Sequence, residues 1–371
     1  MSKSVKNLFL FLGASALFLL IAAAVNFVVD PLQLFRPARF YHPMYSPDSR
    51  LENAGLIRSQ DFDTVFMGTS LAIHFRQSDI DRMLGVRSLK LAMTGSTSRE
   101  QSFVLAAALE RHPRRVIWQI DDWIFRDAPD VDHLAYLPAD LYRRNLKGIA
   151  GYLFSGTMVR ESLWMLARST KPLEKTMARL TSAVLIKFPL STADDINALR
   201  PDFDLAGFYN ENNAVASFRH ITNIAYRGHL AELYDYDAMI RNFERDAVSL
   251  VASHPEVKFD IYFPPYSILQ WVSMRDFSPA TLKIVYDFSA YAAKRLAQFP
   301  NANLYDFREA AEITHNLKNY GDVIHHSPVI DLQVLSWLSE GKYLVDRSAP
   351  TALLQQLKAQ VEAYRADNIE R

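Results

Sequence analysis

An uncharged apolar run near the start of the chain constrains the fold more than any other feature. Residues 8–29 contain no charged side chain, and Asn26 is their one strongly polar residue. At about 1.5 Å per residue, a helix of this length crosses a hydrocarbon core about 30 Å thick. Lys3 and Lys6 precede the run, which favours a cytoplasmic N-terminus. We therefore predict a cytoplasmic segment at 1–7, a transmembrane anchor at 8–29 and a large domain outside the cytoplasm.

Two other interpretations of this run stay open. The small residues Ala22, Ala23 and Ala24 suit a signal-peptidase site, so the segment could be a cleaved signal peptide. It could also be a buried core helix. The run continues past the alanines to Val29, which is longer than a secretory signal needs, and Asp30 with the following proline stops the helix. We favour an uncleaved single-pass anchor in the cell inner membrane, with the domain in the periplasm or otherwise outside the cytoplasm.

Charge balance and cysteine usage exclude several classes of function. The 371 residues include 41 basic and 41 acidic side chains, whereas a nucleic-acid binder carries a basic excess. The chain has no cysteine, which excludes a disulfide framework, a thiolate nucleophile and a zinc–cysteine site. It also has no GxGxxG, Walker A or HExxH motif. We therefore expect no nucleic acid, no cofactor and no metal.

Strand-like and helical segments alternate after a connector at 30–60. Alternation of this kind is typical of βαβ units and a parallel sheet. The predicted fold class is α/β, a flavodoxin-like three-layer sandwich with a mainly parallel sheet. This domain is expected to span 61–345, with a helical and irregular insertion at about 128–234 that forms a lid or subdomain, and a C-terminal helix follows within 346–371. The predicted strands are 63–67, 88–91, 115–120, 259–263 and 303–305.

Three polar features follow predicted strands, where open α/β sheets bind their ligands. Ser70 comes after the first strand, Gly95 after the second, and Asp322 and His325 after the last. A histidine oriented by a carboxylate can take the proton of a serine hydroxyl. Backbone N–H groups of Ser70 and Gly95 could face a developing oxyanion. Each feature also has a simpler interpretation, as a helix cap, a turn glycine, a loop acid and a surface histidine.

The three features resemble the sequence blocks of the SGNH hydrolase superfamily, in the same chain order. They read Val65-Phe66-Met67-Gly68-Thr69-Ser70, Leu91-Ala92-Met93-Thr94-Gly95-Ser96 and Asp322-Val323-Ile324-His325. The resemblance is strongest to the membrane-anchored branch that includes proteins of alginate O-acetylation and teichoic-acid D-alanylation.

This resemblance implies a role for each residue. Ser70 would be the nucleophile, His325 its base and Asp322 the partner of His325, with the N–H groups of Ser70 and Gly95 as the oxyanion hole. It implies acyl-ester chemistry on a cell-envelope glycan, by an O-acyltransferase or an esterase. A membrane-bound O-acyltransferase that supplies acyl groups is the implied partner.

The third block departs from the superfamily pattern. That block usually supplies an asparagine, but this chain reads Gln119-Ile120-Asp121-Asp122. An ionised aspartate cannot donate a hydrogen bond, and losing one oxyanion donor typically costs about 2.7–4 kcal/mol of barrier. A non-catalytic scaffold or glycan-binding protein of an envelope-polymer modification or export system therefore stays open. So does a flavodoxin-like anion site, in which the turn at Ser70 cradles phosphate at a helix N-terminus.

Four further residues are candidates for substrate binding. His74 lies four residues after Ser70, on the same face of the helix predicted over 71–84. Asp122 follows the third strand. Tyr266 and Trp271 follow the fourth strand and could stack on a sugar, while packing beneath the insertion is the alternative for both.

Overall fold

A computed structural model describes residues 2–39, 41, 43, 49–126, 134–169, 194, 207–221 and 234–365. The chain forms two compact units, one of residues 1–60 with 134–195 and one of residues 61–133 with 196–371. The insertion expected at about 128–234 is thus shared between the two units. Its stretches 127–133, 170–193, 195–206 and 222–233 lie outside the described residues, as do the N-terminal methionine, parts of the connector and residues 366–371.

Fifteen α-helices and five strands are described. In chain order they are α1 (Lys3–Val29), α2 (Ser49–Ser59), β1 (Thr64–Met67), α3 (Gln77–Leu84), β2 (Ser88–Lys90), α4 (Ser98–Leu109), β3 (Arg115–Gln119), α5 (Ala139–Tyr142), α6 (Leu146–Leu153), α7 (Gly156–Ser169), α8 (Glu211–Ile221), α9 (Tyr236–Phe243), α10 (Ser249–Ser253), β4 (Lys258–Phe263), α11 (Ile268–Phe277), α12 (Pro279–Leu296), β5 (Ala302–Asp306), α13 (Ala311–Thr314), α14 (Pro328–Glu340) and α15 (Ala352–Ala363).

The first unit is built on helix α1, which is long and apolar enough to cross a membrane. Only 6% of its most apolar stretch is buried within the protein, which argues against the core-helix interpretation. The helix ends where Asp30 adopts a left-handed conformation, with φ of +54°. The Asp30 carboxylate then accepts hydrogen bonds from the backbone N–H groups of Leu34, Phe35 and Arg36. These bonds hold the chain in a turn directly after the apolar run.

The expectation of an irregular connector at 30–60 is wrong over its last part, because 49–59 form helix α2. Gly55 of this helix lies so close to the backbone of Leu32 that a Cβ would stand 1.7 Å from the Leu32 carbonyl oxygen. Leu56 and Ile57 are buried beside it. The helix is therefore stabilised by contacts distant in sequence rather than by a strong local periodicity.

The second unit contains a five-stranded, all-parallel sheet in the order β2-β1-β3-β4-β5. All five strands lie within one or two residues of the predicted segments, so the α/β class with a parallel sheet is confirmed. On one face, side chains of four strands pack with α3 and α14; this cluster includes Phe66, Ile117, Tyr262, Tyr305, Ile80 and Val334. From the other face, the Trp118 indole N–H donates to Gln101 of α4 at 2.7 Å.

The helix predicted over 71–84 is wrong in its first half. Residues 70–72 form a single 3₁₀ turn, and α3 begins only at Gln77. Between them, the buried Lys90 ammonium donates to the backbone carbonyls of Ile73 and Phe75, both at 2.8 Å. A helix would have used those carbonyls for its own i→i+4 bonds. His74 therefore lies in a turn, and the prediction that it shares a helix face with Ser70 is wrong.

Candidate active site

The carboxyl end of β1 brings Ser70 to a histidine from the far end of the chain. The Ser70 hydroxyl oxygen lies 2.9 Å from His325 Nε2, although 255 residues separate the two in sequence. Both residues belong to the second unit. The Ser70 side chain makes this contact rather than capping a helix, because the helical cap position of the following turn is Thr69. The predicted juxtaposition of Ser70 and His325 is thus confirmed.

Asp322 completes the row of three side chains. Its Oδ2 lies 2.6 Å from His325 Nδ1, and its Oδ1 accepts backbone N–H bonds from Ile324 at 2.8 Å and His325 at 2.7 Å. Burial raises the pKa of Asp322, but the bonds from His325 and Ile324 outweigh it and hold the pKa below the ordinary value. The carboxylate stays charged and fixes the tautomer in which Nε2 of His325 faces the serine as an acceptor.

The loop that carries Asp322 and His325 is held by bonds at both ends. The Gly321 N–H donates to the His325 carbonyl at 2.9 Å, and the Tyr320 hydroxyl donates to the Pro265 carbonyl at 2.6 Å. The ring of Phe208 closes over Gly321 so tightly that a Cβ there would stand 2.0 Å from it. This contact was not predicted, because Phe208 and Gly321 lie more than a hundred residues apart in sequence.

The turn that carries Ser70 rests on a buried polar cluster. The Asp121 carboxylate accepts hydrogen bonds from the Thr69 hydroxyl at 2.7 Å, from the Gln119 amide at 2.8 Å and from the Tyr266 hydroxyl. A Cβ at Gly68 would meet the Gln119 side-chain oxygen at 2.6 Å, so the backbone can pass only with glycine there. Sequence reasoning treated Asp121 as a missing donor and did not predict this support.

Asp121 is 1% exposed and both its oxygens are occupied. Burial raises its pKa to about 6, even though the bonds from Tyr266 and Thr69 oppose the rise. The side chain is turned toward Thr69 and Tyr266, where it accepts bonds. Asp121, in the segment 119–122, thus supports the turn before Ser70 through its hydrogen bond from Thr69.

Of the two proposed oxyanion donors, Ser70 is half-buried and Gly95 is exposed. Gly95 is left-handed, with φ of +60°, a conformation that favours glycine. Its loop is anchored to the Ser70 turn, because the Met93 N–H donates to the Gly68 carbonyl at 2.9 Å. The role of the Ser70 and Gly95 N–H groups as oxyanion donors stays a prediction.

A cavity of about 390 Å³ lies on the Asp322 side of this site. Its lining includes Asp322 and two of the predicted binding residues, Asp122 and Tyr266, while Ser70 and His325 lie outside it. Burial raises the pKa of Asp122, against the influence of nearby Arg308 and of a hydrogen bond from the Tyr234 hydroxyl. The wall also contains the side chains of Trp123, Arg126, Phe277 and Ile324.

The other two predicted binding residues lie elsewhere. Trp271 is fully buried and stacks on Tyr266 with ring centroids 5.7 Å apart, so the packing alternative describes it. His74 lines a separate cavity of about 230 Å³, and its Nε2 lies 3.3 Å from the Tyr209 hydroxyl. Burial lowers the pKa of His74 to about 4, with further lowering from His325 and Lys90. His74 is therefore neutral at neutral pH.

The other alternative for the Ser70 turn was an anion site at a helix N-terminus. No α-helix begins at this turn. Only the three residues 70–72 follow as a 3₁₀ turn, which provides no helix dipole of useful length. Within the described residues, no group of three or more histidine and acidic side chains is arranged to hold a metal ion.

No model of a known protein family matches this chain, and no curated protein is similar to it in sequence.

Proposed function

We propose that the chain performs serine-dependent acyl-ester chemistry on a cell-envelope glycan outside the cytoplasm. The observation that carries this proposal is the continuous hydrogen-bonded row from Ser70 through His325 to Asp322, with distances of 2.9 and 2.6 Å. A serine hydroxyl is a weak nucleophile until a neighbouring base removes its proton. This row provides the base and the carboxylate that orients it.

The chemistry takes two steps. In the first, the Ser70 proton passes to His325 Nε2 as the serine oxygen attacks the carbonyl carbon of an acyl ester, and the leaving alcohol takes that proton from His325. In the second, His325 removes a proton from water or a sugar hydroxyl, which attacks the acyl-serine and releases Ser70. Water gives an esterase and a sugar hydroxyl gives an O-acyltransferase. The N–H groups of Ser70 and Gly95 would stabilise the oxyanion in both steps.

The cavity beside Asp322 supports a glycan as substrate. Its wall combines aromatic rings at Trp123 and Tyr234 with the polar side chains of Asp122 and Arg126. Aromatic faces with a few placed polar groups are the usual lining of a ligand pocket. We assign this cavity to the part of the glycan that is not acylated.

Anchorage in the cell inner membrane is part of the proposal. The length and exposure of α1 support a single pass, and Lys3 and Lys6 before it favour a cytoplasmic N-terminus with the second unit in the periplasm. A membrane-bound O-acyltransferase in the same bilayer would then supply acyl groups. The strand order, together with helices packed on opposite faces of the sheet, supports the flavodoxin-like three-layer assignment.

The composition of the third block favours a second candidate, a non-catalytic scaffold or glycan-binding protein. Asp121 is fully occupied in supporting Thr69 and Tyr266, so it offers the oxyanion no donor in the place where the superfamily has an asparagine. In such a protein the cavity beside Asp322 would bind a glycan, and Ser70 would not acylate or deacylate it.

Labelling of the full-length chain with a fluorescent fluorophosphonate separates the two candidates. We expect labelling of the wild-type chain and none of Ser70→Ala. Ser336→Ala, which removes an exposed hydroxyl of α14, is the matched control and should label like the wild type. Absence of wild-type labelling across the pH range would favour the scaffold, and full labelling of Ser70→Ala would remove Ser70 from the reaction.

A further inference from the structure

Helix α6 of the first unit has an exposed apolar stripe. Leu146, Ala150 and Phe154, the residue that caps the C-terminus of α6, follow at four-residue spacing and so lie along one side of the helix. All three are exposed; Leu146 is 87% and Phe154 48% accessible. Exposed apolar side chains grouped on one side of a helix mark a candidate contact with a protein or a membrane.

The C-terminal end of the stripe is fastened to α1. The Asn26 side-chain amide donates to the backbone carbonyls of Leu153 at 2.9 Å and Ser155 at 3.1 Å, on either side of Phe154. The hydroxyl of Tyr152 donates to Asp30 Oδ1 at 2.8 Å. Phe154 therefore lies at the level of Asn26 along α1.

That level coincides with the end of the apolar span. The apolar run 8–29 extends about 33 Å as a helix, close to the thickness of a hydrocarbon core of about 30 Å, and Asn26 stands about 4.5 Å before the end of this run. Asn26 then falls at the edge of the hydrocarbon. The rings of Phe27, Phe35 and Tyr152 lie in succession at this level, with centroids 5.1 and 5.9 Å apart. Tyr and Trp are enriched at the same depth in membrane proteins, and Tyr152 is the tyrosine of this group.

We propose that the stripe of Leu146, Ala150 and Phe154 lies in the interface of the bilayer, so that the partner of α6 is a lipid surface. This inference rests on the anchorage of α1 set out under Proposed function. Helices that lie in the interface bury their apolar side and place basic residues among anionic headgroups. Arg143 and Arg144 are exposed just before α6 and meet that requirement.

Continuity with α1 favours lipid over a protein partner. The stripe ends, at Phe154, beside α1, whose own exposed apolar surface includes Phe27 and Val28 and also requires lipid. An interfacial α6 gives the first unit a second membrane contact, which would restrict the tilt and rotation of α1.

Spin-label depth measurements on the full-length chain test the proposal, and the absence of cysteine makes single labelling sites straightforward. Nitroxides are attached to Leu146→Cys and Phe154→Cys, in nanodiscs that contain anionic lipid. Leu17→Cys in the middle of α1 is the hydrocarbon reference, and Ser348→Cys, exposed on the second unit, is the aqueous reference. Collision rates with oxygen and with a water-soluble nickel complex are then compared.

We expect the labels at 146 and 154 to lose most of the nickel collisions seen at 348 and to gain oxygen collisions toward the value at 17. Nickel access equal to that at 348, with 17 protected, would overturn the interfacial contact and leave the anchor intact. Protection from both reagents would also overturn it, because protein would then cover the stripe. Nickel access at 17 would overturn the anchorage itself.

Discussion

The buried carboxyl of Asp121 makes the free energy of unfolding of the second unit depend on pH. The pKa of this carboxyl is raised on folding, so its contribution to stability falls as the pH rises, whereas an acidic group with a lowered pKa contributes more at high pH. The pKa of Asp121 is raised by burial from the ordinary 3.8 to about 6. The folded chain therefore binds this proton more tightly than the unfolded chain does. The favourable contribution of the group is complete below about pH 3.8 and is lost as the pH rises through about 6.

The change Asp121→Asn removes this titration and keeps the shape of the side chain. At about 1.36 kcal/mol per pH unit, a rise from 3.8 to about 6 corresponds to about 3 kcal/mol. Because the unfolded carboxyl is already partly ionised at pH 4, the effect of Asp121→Asn on the free energy of unfolding should be about 2.4 kcal/mol more favourable at pH 8 than at pH 4. An asparagine can keep the contacts, because the hydroxyls of Thr69 and Tyr266 can accept as well as donate.

Urea denaturation of the full-length chain in detergent, followed by tryptophan fluorescence, measures this difference. Trp118 and Trp271 are buried in the second unit and report on its unfolding. Asp237→Asn is the matched control, because Asp237 is an exposed aspartate of the same unit. An equal effect of Asp121→Asn at both pH values, or a larger benefit at pH 4, would refute the account of this carboxyl.

Three other substitutions are expected to have separable effects. Asp322→Asn should lower the rate of fluorophosphonate labelling by about 10⁴, because the histidine loses the partner that sets its tautomer; labelling at the wild-type rate would exclude a role for Asp322. Gly68→Ala should lower the free energy of unfolding by about 1–3 kcal/mol, since its Cβ would stand 2.6 Å from the Ala72 Cβ; unchanged denaturation would contradict this. Trp271→Ala should cost about 3–5 kcal/mol of stability, whereas a Trp271 that contacts sugar would instead weaken glycan binding with little loss of stability.

The positions of the five strands, and the proximity of Ser70 and His325, could be predicted because both follow from local sequence patterns. Runs such as 115–119 and 258–263 are β-branched and aromatic, and they are bounded by turns. Parallel strands bring their carboxyl ends to one edge of the sheet, so Ser70 and His325 meet although they are distant in sequence.

The features that escaped prediction depend on contacts distant in sequence. The helix expected over 71–84 is broken because Lys90, on the neighbouring strand, takes carbonyls that the helix needed. Trp271 follows a strand that ends at the site, but its burial under Tyr266 depends on the whole unit. The place of 134–195 in the unit of α1 also rests on distant contacts, such as those of Asn26, whose side-chain partners lie more than a hundred residues away.

Mass spectrometry of the full-length chain after brief exposure to an activated acetyl ester shows whether Ser70 becomes acylated. We expect one acetyl group on the peptide that contains Ser70, and its absence from His325→Ala. An acetyl group distributed over lysines, with none on Ser70 in the wild-type chain at any pH, would contradict this expectation.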